Sequence, residues 1–169
     1  MQKILDQYGN VTIYMEQNHP SPMYHVDGGV EPNPYGNLAV LLGDDNLEEV
    51  MYNGGSQCVK VAHRDHGMCQ TNVFVDDQQG LEIARNIAAF TSVPLGDGPG
   101  LVPIFDGRLP DGSRVNGTIP PVSPDGPTLT IRKFRDDPLT MIDLIKFGTV
   151  NLRLAAMMWV WIEGLDSRP

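Results

Sequence analysis

Alternation of apolar and polar residues, with the period of two that strands show, predicts a sheet in the middle of the chain. It runs through three segments: Leu101–Leu109, Arg114–Ile119 and Thr128–Phe134. Pro110-Asp-Gly-Ser113 joins the first two and is typical of a hairpin turn. A further strand, turn and strand are predicted from Val59 to Val75, with the bend at His63-Arg-Asp-His-Gly67. These segments indicate an antiparallel sheet.

Apolar residues at helical spacing predict a helix over Asp76–Thr91, with Asp76 and Asp77 at its start. Near the C-terminus, Thr140 and Asp143 resemble a capping box that opens a short helix, and Asn151 can cap the helix Leu152–Glu163. In that last helix Ala155, Met158, Trp159 and Ile162 form an apolar stripe.

The acidic run 44–50 precedes apolar residues and also favours a helix start. Residues 1–40 carry several Pro and Gly between short β-like runs, so we predict an irregular, partly extended lead-in there. An α+β domain is expected over residues 41–150, and residues 151–169 are expected to form a C-terminal helix and the start of a linker. The predicted class is α+β, a mainly antiparallel sheet with flanking helices.

Composition agrees with this class, because 18 Gly and 14 Pro among 169 residues favour turns over long helices. The net charge of −9 argues against a nucleic-acid partner. The sequence contains neither a membrane-span pattern nor a signal-peptide pattern, so a cytoplasmic location is expected. Basic residues nevertheless dominate from Arg108 to Arg135, where five of them face only two acids. A local anion site is therefore a candidate there.

The strand period places Arg114 on one face with Asn116 and Thr118, and Arg132 on one face with Thr128 and Thr130. If the two strands are neighbours, both arginines could converge on one phosphate, since guanidinium groups match phosphate oxygens bidentately. An ordinary solvated sheet face explains the same pattern. Periodicity leaves both interpretations open.

The runs 105–116 (FDGRLPDGSRVN) and 119–134 (IPPVSPDGPTLTIRKF) resemble the segment that precedes the catalytic core in type II/type IV secretion-system traffic ATPases. The likeness is strongest to their tight-adherence and conjugation branch. Residues 45–54 and 141–148 resemble flanking motifs of the same family, whose members also drive archaellum and archaeal pilus machinery. The resemblance implies a sensory-domain-like N-terminal domain that lies over nucleotide held by a C-terminal domain.

That resemblance implies that Arg114 and Arg132 contact nucleotide phosphates when the C-terminal domain is present. Arg108 and Arg135 bound the same basic segment and are candidate supporting residues. The implied parent is a hexamer that uses ATP and Mg²⁺, works beside secretion or pilus machinery, and is peripheral to the cytoplasmic membrane. No phosphate-binding loop with a Gly-Lys pair occurs in the chain. We therefore expect a fragment without catalytic residues that does not hydrolyse ATP by itself. The family's Asp-Ala is replaced here by Asp106-Gly107.

The sequence also admits a metal site and a function without nucleotide. Cys58, His63, His66 and Cys69 could form a zinc site, but they lack the short paired spacings of zinc motifs, so we predict free thiols and no bound metal. The alternative function is a self-contained binding or adaptor module without a nucleotide role. It differs from the ATPase interpretation in what the gene encodes after residue 169.

Overall fold

The structure is a computed structural model that describes residues 2–28, 33–134 and 139–164. Its chain divides into two compact units, Met1–Phe134 and Arg135–Pro169. Nine strands belong to the first unit and form one sheet. They are β1 Gln2–Tyr8, β2 Val11–Glu16, β3 Met23–Val26, β4 Leu47–Tyr52, β5 Cys58–His63, β6 Gly67–Phe74, β7 Ile104–Arg108, β8 Arg114–Thr118 and β9 Thr128–Arg132.

The order of strands across the sheet is β1-β2-β3-β6-β5-β4-β9-β8-β7. Only the β3–β6 pair is parallel, and the other neighbours are antiparallel. Two helices accompany the sheet in the first unit: α1 Ala39–Leu42, which a 3-10 turn precedes, and α2 Asp77–Phe90. The second unit contains α3 Met141–Lys146 and α4 Leu152–Gly164. The prediction of an α+β fold with a mainly antiparallel sheet is confirmed.

One face of the sheet is buried against α1 and α2. From α2, Ile83, Ala84, Ile87 and Ala88 enter a core that also contains the inward side chains of the strands. Helix α2 begins with a capping box, in which Asp76 accepts the backbone N–H of Gln79 at 2.8 Å and the Gln79 side chain accepts the backbone N–H of Asp76 at 3.2 Å. The predicted helix is thus present with its predicted cap.

The expectation for residues 1–40 is wrong. Strands β1, β2 and β3 lie in this region and supply a third of the strands of the sheet. Val11, Ile13, Tyr24 and Val26 point into the core, so these short runs do obey a period of two. Their pattern is obscured because Pro and Gly lie in the turns between the strands, where they end each run after a few residues.

The helix start expected at residues 44–50 is also wrong, because this region leads into strand β4. Leu47, Val50 and Tyr52 are buried, while Glu49 and Met51 lie on the opposite face. The register slips between Leu47 and Glu49 where β4 pairs with β5, so the apolar spacing differs from a plain alternation. A bulge of this kind imitates the spacing of a helical turn.

Candidate functional site

Three arginines stand side by side at one end of the sheet. Arg108 on β7 pairs in register with Arg114 on β8, and Arg114 pairs with Arg132 on β9. All three side chains are exposed. Since neighbouring strands lie about 4.8 Å apart, the three Cα atoms span about 10 Å. We call Arg108, Arg114 and Arg132 the arginine row. The condition that the strands of Arg114 and Arg132 are neighbours is therefore met.

The strands that carry the row are fixed by burial and by hydrogen bonds. Phe105, Val115 and Ile131 alternate with the arginines and are buried on the other face. The Oγ1 atoms of Thr118 and Thr128 lie 2.7 Å apart and share a hydrogen bond across β8 and β9. The arginines therefore project from a backbone that the core and a cross-strand pair both hold.

The hairpin turn next to the row is also tied down. Ser113 donates from its Oγ to Asp111 at 2.8 Å, and the same Oγ accepts the backbone N–H of Phe134 at 3.0 Å. Ser113 is buried. The residue before Arg114 is thus bonded to the strand extension that follows Arg132, which limits the relative movement of these two arginines.

The row concentrates positive charge that the protein does not neutralise within the described part of the chain. None of the carboxylates described there forms an ion pair with Arg108, Arg114 or Arg132. Glu49 pairs in register with Arg132 across β4 and β9 without reaching ion-pair distance. Guanidinium groups placed together in this way favour an oxyanion that can accept several hydrogen bonds. Arg135, the other predicted supporting residue, lies outside the described residues.

A polar cluster lies near the same end of the sheet, centred on Asp44. The Asp44 Oδ2 atom accepts the hydroxyls of Tyr8 at 2.8 Å and Tyr24 at 2.6 Å, and Oδ1 accepts the backbone N–H of Asn46 at 2.9 Å. Burial by itself would raise the pKa of Asp44, but these hydrogen bonds outweigh it and hold the pKa below its usual value. The carboxylate therefore joins β1, β3 and the loop before β4.

His63 continues this cluster from the end of β5. Its Nδ1 accepts the backbone N–H groups of Asp65 at 3.1 Å and His66 at 3.4 Å, so the proton of the neutral ring belongs on Nε2. Nε2 lies 3.1 Å from the Tyr8 hydroxyl and donates to it, while Tyr8 donates to Asp44. Burial, followed by the nearby His66, lowers the pKa of His63.

Sequence reasoning missed Lys133, the residue after Arg132. Its side chain is only 9% exposed, and its Nζ donates to the backbone carbonyl of Asp44 at 2.6 Å. Asp45 adds a carboxylate 3.7 Å from the same Nζ. The sequence signal for Lys133 was its position: in the alternation of strand β9 it falls on the inward side with Leu129 and Ile131. A lysine at such a position indicates a pairing partner, because a buried ammonium must be paired.

The four residues that could form a zinc site by sequence, Cys58, His63, His66 and Cys69, occupy different environments. Cys58 and Cys69 are free thiols, and Cys69 is buried on β6 with a hydrogen bond from its Sγ to the carbonyl of Gly67. Both ring nitrogens of His63 form hydrogen bonds: Nε2 with the Tyr8 hydroxyl and Nδ1 with the backbone N–H of Asp65. Within residues 2–28, 33–134 and 139–164, no group of three or more His, Cys, Asp or Glu residues is arranged to hold a metal ion.

The second unit carries two short capped helices. Thr140 and Asp143 form the predicted capping box of α3, and Asn151 accepts the backbone N–H of Leu154 at the start of α4. On α4 the predicted stripe is divided: Ala155 is buried, whereas Trp159 and Ile162 are exposed. None of the helices in the described parts of the chain is long and apolar enough to cross a membrane.

The chain is similar in sequence to two longer archaeal proteins. No family model matches the chain. It is 48% identical over 129 residues to the uncharacterized protein MJ0781 and 38% identical over 130 residues to the uncharacterized protein MJ0900, both from Methanocaldococcus jannaschii. Each match covers 76% of this chain but only 18% and 23% of the two relatives. The chain thus spans about a fifth of the length of these curated relatives.

Among solved structures, the fold resembles that of the VirB11 ATPase from the Brucella suis type IV secretion system, crystallised in complex with sulphate. The TM-score is 0.57 at 20% sequence identity, over 77% of this chain and 40% of that one. The two proteins share a fold over most of this chain. The α+β architecture expected from the secretion-ATPase resemblance is therefore the one observed.

Proposed function

We propose that this chain is the N-terminal regulatory and oligomerisation domain of a hexameric ATPase that powers protein secretion or the assembly of a type IV pilus-like filament. Its arginine row would close over the phosphates of ATP held by a C-terminal domain. The observation that carries the proposal is the direct cross-strand pairing of Arg114 with Arg132 on an exposed face. The shared fold with an ATPase of a type IV secretion system supports it.

The chemistry of phosphoryl transfer explains why such a row would matter. Negative charge spreads over the γ-phosphoryl oxygens in the transition state, and positioned cations stabilise it. Arginines on a fixed sheet need little reorganisation when a second domain brings nucleotide to them. The same contacts would make domain closure depend on bound nucleotide.

ATP would be the substrate of the whole protein. Guanidinium groups can only donate hydrogen bonds, so the row fits phosphate oxygens and cannot ligate Mg²⁺. The metal would therefore be held by the C-terminal domain, and this chain would not hydrolyse ATP alone. Its partners would be that domain, five further copies, and secretion or pilus machinery at the cytoplasmic face of the membrane.

The first test is to read the gene beyond codon 169 and assay the full-length product. We expect a phosphate-binding loop downstream and ATPase activity that falls about a hundredfold in Arg132→Ala, mainly in kcat, because the guanidinium acts on the transition state. Arg114→Ala should fall in the same direction. Arg132→Lys should not recover wild-type turnover, because an ammonium cannot form a bidentate fork.

Arg85→Ala is the matched control, since Arg85 is exposed on α2 and belongs to no part of the row. Its turnover should equal that of the wild type. Wild-type hydrolysis in Arg114→Ala, Arg132→Ala and the double variant, with hexamers intact, would contradict the proposal. A gene that ends without an ATPase core would leave the binding or adaptor module as the function.

A further inference from the structure

Lys133, the buried lysine beside the arginine row, forms hydrogen bonds through both its backbone and its side chain. Lys133 follows Arg132 directly, and its backbone N–H donates to the carbonyl of Glu48 at 2.9 Å, which extends the β4–β9 pairing past the end of β9. Its side chain is 9% exposed and donates from Nζ to the Asp44 carbonyl at 2.6 Å. One residue thus attaches the end of β9 to β4 and to the loop before β4.

The far end of this attachment is itself rigid. The Asp44 side chain accepts hydrogen bonds from Tyr8, Tyr24 and Asn46, and His63 fixes Tyr8 in turn. The carbonyl that receives the Lys133 ammonium therefore belongs to a residue whose side chain is held by strands β1 and β3 and by its own loop. A buried ammonium that lost this acceptor would keep, among its described partners, only the Asp45 carboxylate, 3.7 Å from its Nζ.

We infer that Lys133 is a positioning residue for Arg132: by anchoring the end of β9 to the Asp44 cluster, it holds the Arg132 guanidinium in line with Arg114. This inference rests on the proposed function, in which Arg132 contacts the nucleotide. Lys133 itself has no contact with the nucleotide. Arg132 is the member of the row nearest to this anchor, and it has no described carboxylate partner of its own. Its orientation therefore depends on its backbone.

The experiment is a double-mutant cycle on ATP hydrolysis by the full-length protein. Lys133→Met keeps an apolar stem and removes the donor, and it should lower kcat about tenfold to a hundredfold, because a misplacement of about 1 Å is that costly. The KM for ATP should change less than about twofold. In the Arg132→Ala background, Lys133→Met should have almost no further effect, since the residue it positions is gone.

Lys60→Met is the control, because Lys60 lies exposed on β5 of the same sheet, and its kcat should match the wild type. Lys133→Gln, whose shorter amide still donates, is measured in parallel in case the Met variant does not fold, and should lie between Lys133→Met and the wild type. Loss of kcat by the same factor in both Arg132 backgrounds would overturn the inference, as would wild-type kcat in Lys133→Met. Wild-type activity of Arg132→Ala would instead refute the proposed function.

A second measurement uses this 169-residue chain and does not depend on hydrolysis. In Lys133→Met, amide hydrogen exchange of Arg132 and Lys133 should become faster relative to Val115, which lies on the neighbouring strand β8 and pairs with Ile131. Unchanged exchange at the end of β9 would show that the lysine does not anchor the strand. Equal acceleration across all strands would show general destabilisation and would also contradict the inference.

Discussion

At the scale of single residues, the environment of His63 decides its chemistry more than its place in the sequence does. It lies among residues that could suggest a metal site, yet its two nitrogens are committed to the backbone of the 63–67 turn and to Tyr8. Acceptance of the two backbone N–H groups by Nδ1 requires the neutral ring, because both nitrogens of a protonated ring are donors. A histidine that is buried and used in this way favours its uncharged form.

His63 should therefore make stability depend on pH. Its pKa in the folded protein is lowered, mainly by burial, from an unfolded value of about 6.5. Between the folded and unfolded pKa values the unfolded chain binds a proton that the folded chain does not, so stability should fall as the pH drops below about 6.5. Urea denaturation at pH 8 and pH 5 measures this loss.

The comparison variant for this experiment is His63→Gln, which cannot titrate. Its stability will be lower at pH 8, because the hydrogen bonds of the ring are lost, but its further loss between pH 8 and pH 5 should be smaller than that of the wild type. Equal losses in the two proteins would mean that His63 does not carry the pH dependence.

At the scale of elements, the packing of α2 on the sheet depends on small residues in the strands. A Cβ atom at Gly107 would overlap the Cγ2 atom of Thr91, which caps the C-terminus of α2. A Cβ at Gly117 would lie 2.5 Å from Cζ of Phe105. The glycine that departs from the family's Asp-Ala motif is thus matched to a threonine in the facing helix end.

This contact gives a paired prediction. Gly107→Ala should destabilise the protein by about 1–3 kcal/mol, as overpacking in a tight contact does, and Thr91→Ser should restore part of the loss, because the close contact with Thr91 Cβ remains. Serine removes the overlapping methyl group and keeps the hydroxyl that donates to the Ala88 carbonyl at 3.0 Å.

Urea denaturation of the two single variants and the double variant measures this coupling. Thr91→Ser alone is the reference for the cost of the missing methyl group. Additive effects in the double variant would contradict the assigned contact.

At the scale of the whole molecule, charge is divided unevenly over the sequence. Residues 1–105 contain 13 acids and four basic residues, whereas the arginine row lies on the three strands β7, β8 and β9 at one edge of the sheet. A net charge of −9 opposes a general attraction for polyanions. Any anion bound by the row is therefore held by local contacts.

The isolated chain should consequently bind ATP weakly. Three exposed arginines offer no enclosed site, and the backbone donors of a phosphate loop are absent from this sequence, so we expect a Kd of about 1 mM or weaker. Isothermal titration calorimetry of the 169-residue chain, with the Arg114→Ala/Arg132→Ala variant as the reference, measures it. A micromolar Kd would show that the chain contains a complete nucleotide site.

Elements with regular local patterns could be predicted from the sequence. The hairpin at 110–113, the strands around Val115 and Ile131, and helix α2 with its capping box follow from alternation and from turn and cap residues, which are local physical preferences. The pairing of Arg114 with Arg132 was predictable as a condition, because their faces were known while their adjacency was not.

Strands β1–β3, the Asp44 cluster and the Lys133 contact became visible in the three-dimensional structure. Strands β1–β3 do not stand out by periodicity, because β1 has no buried side chain and β3 has only four residues. They are stabilised by neighbours distant in sequence, including the parallel contact of β3 with β6. The Asp44 cluster joins residues up to 55 positions apart, such as Tyr8 and His63, and Lys133 reaches Asp44 across 89 positions. Contacts of this range depend on the order of strands in the sheet, which a local pattern does not encode.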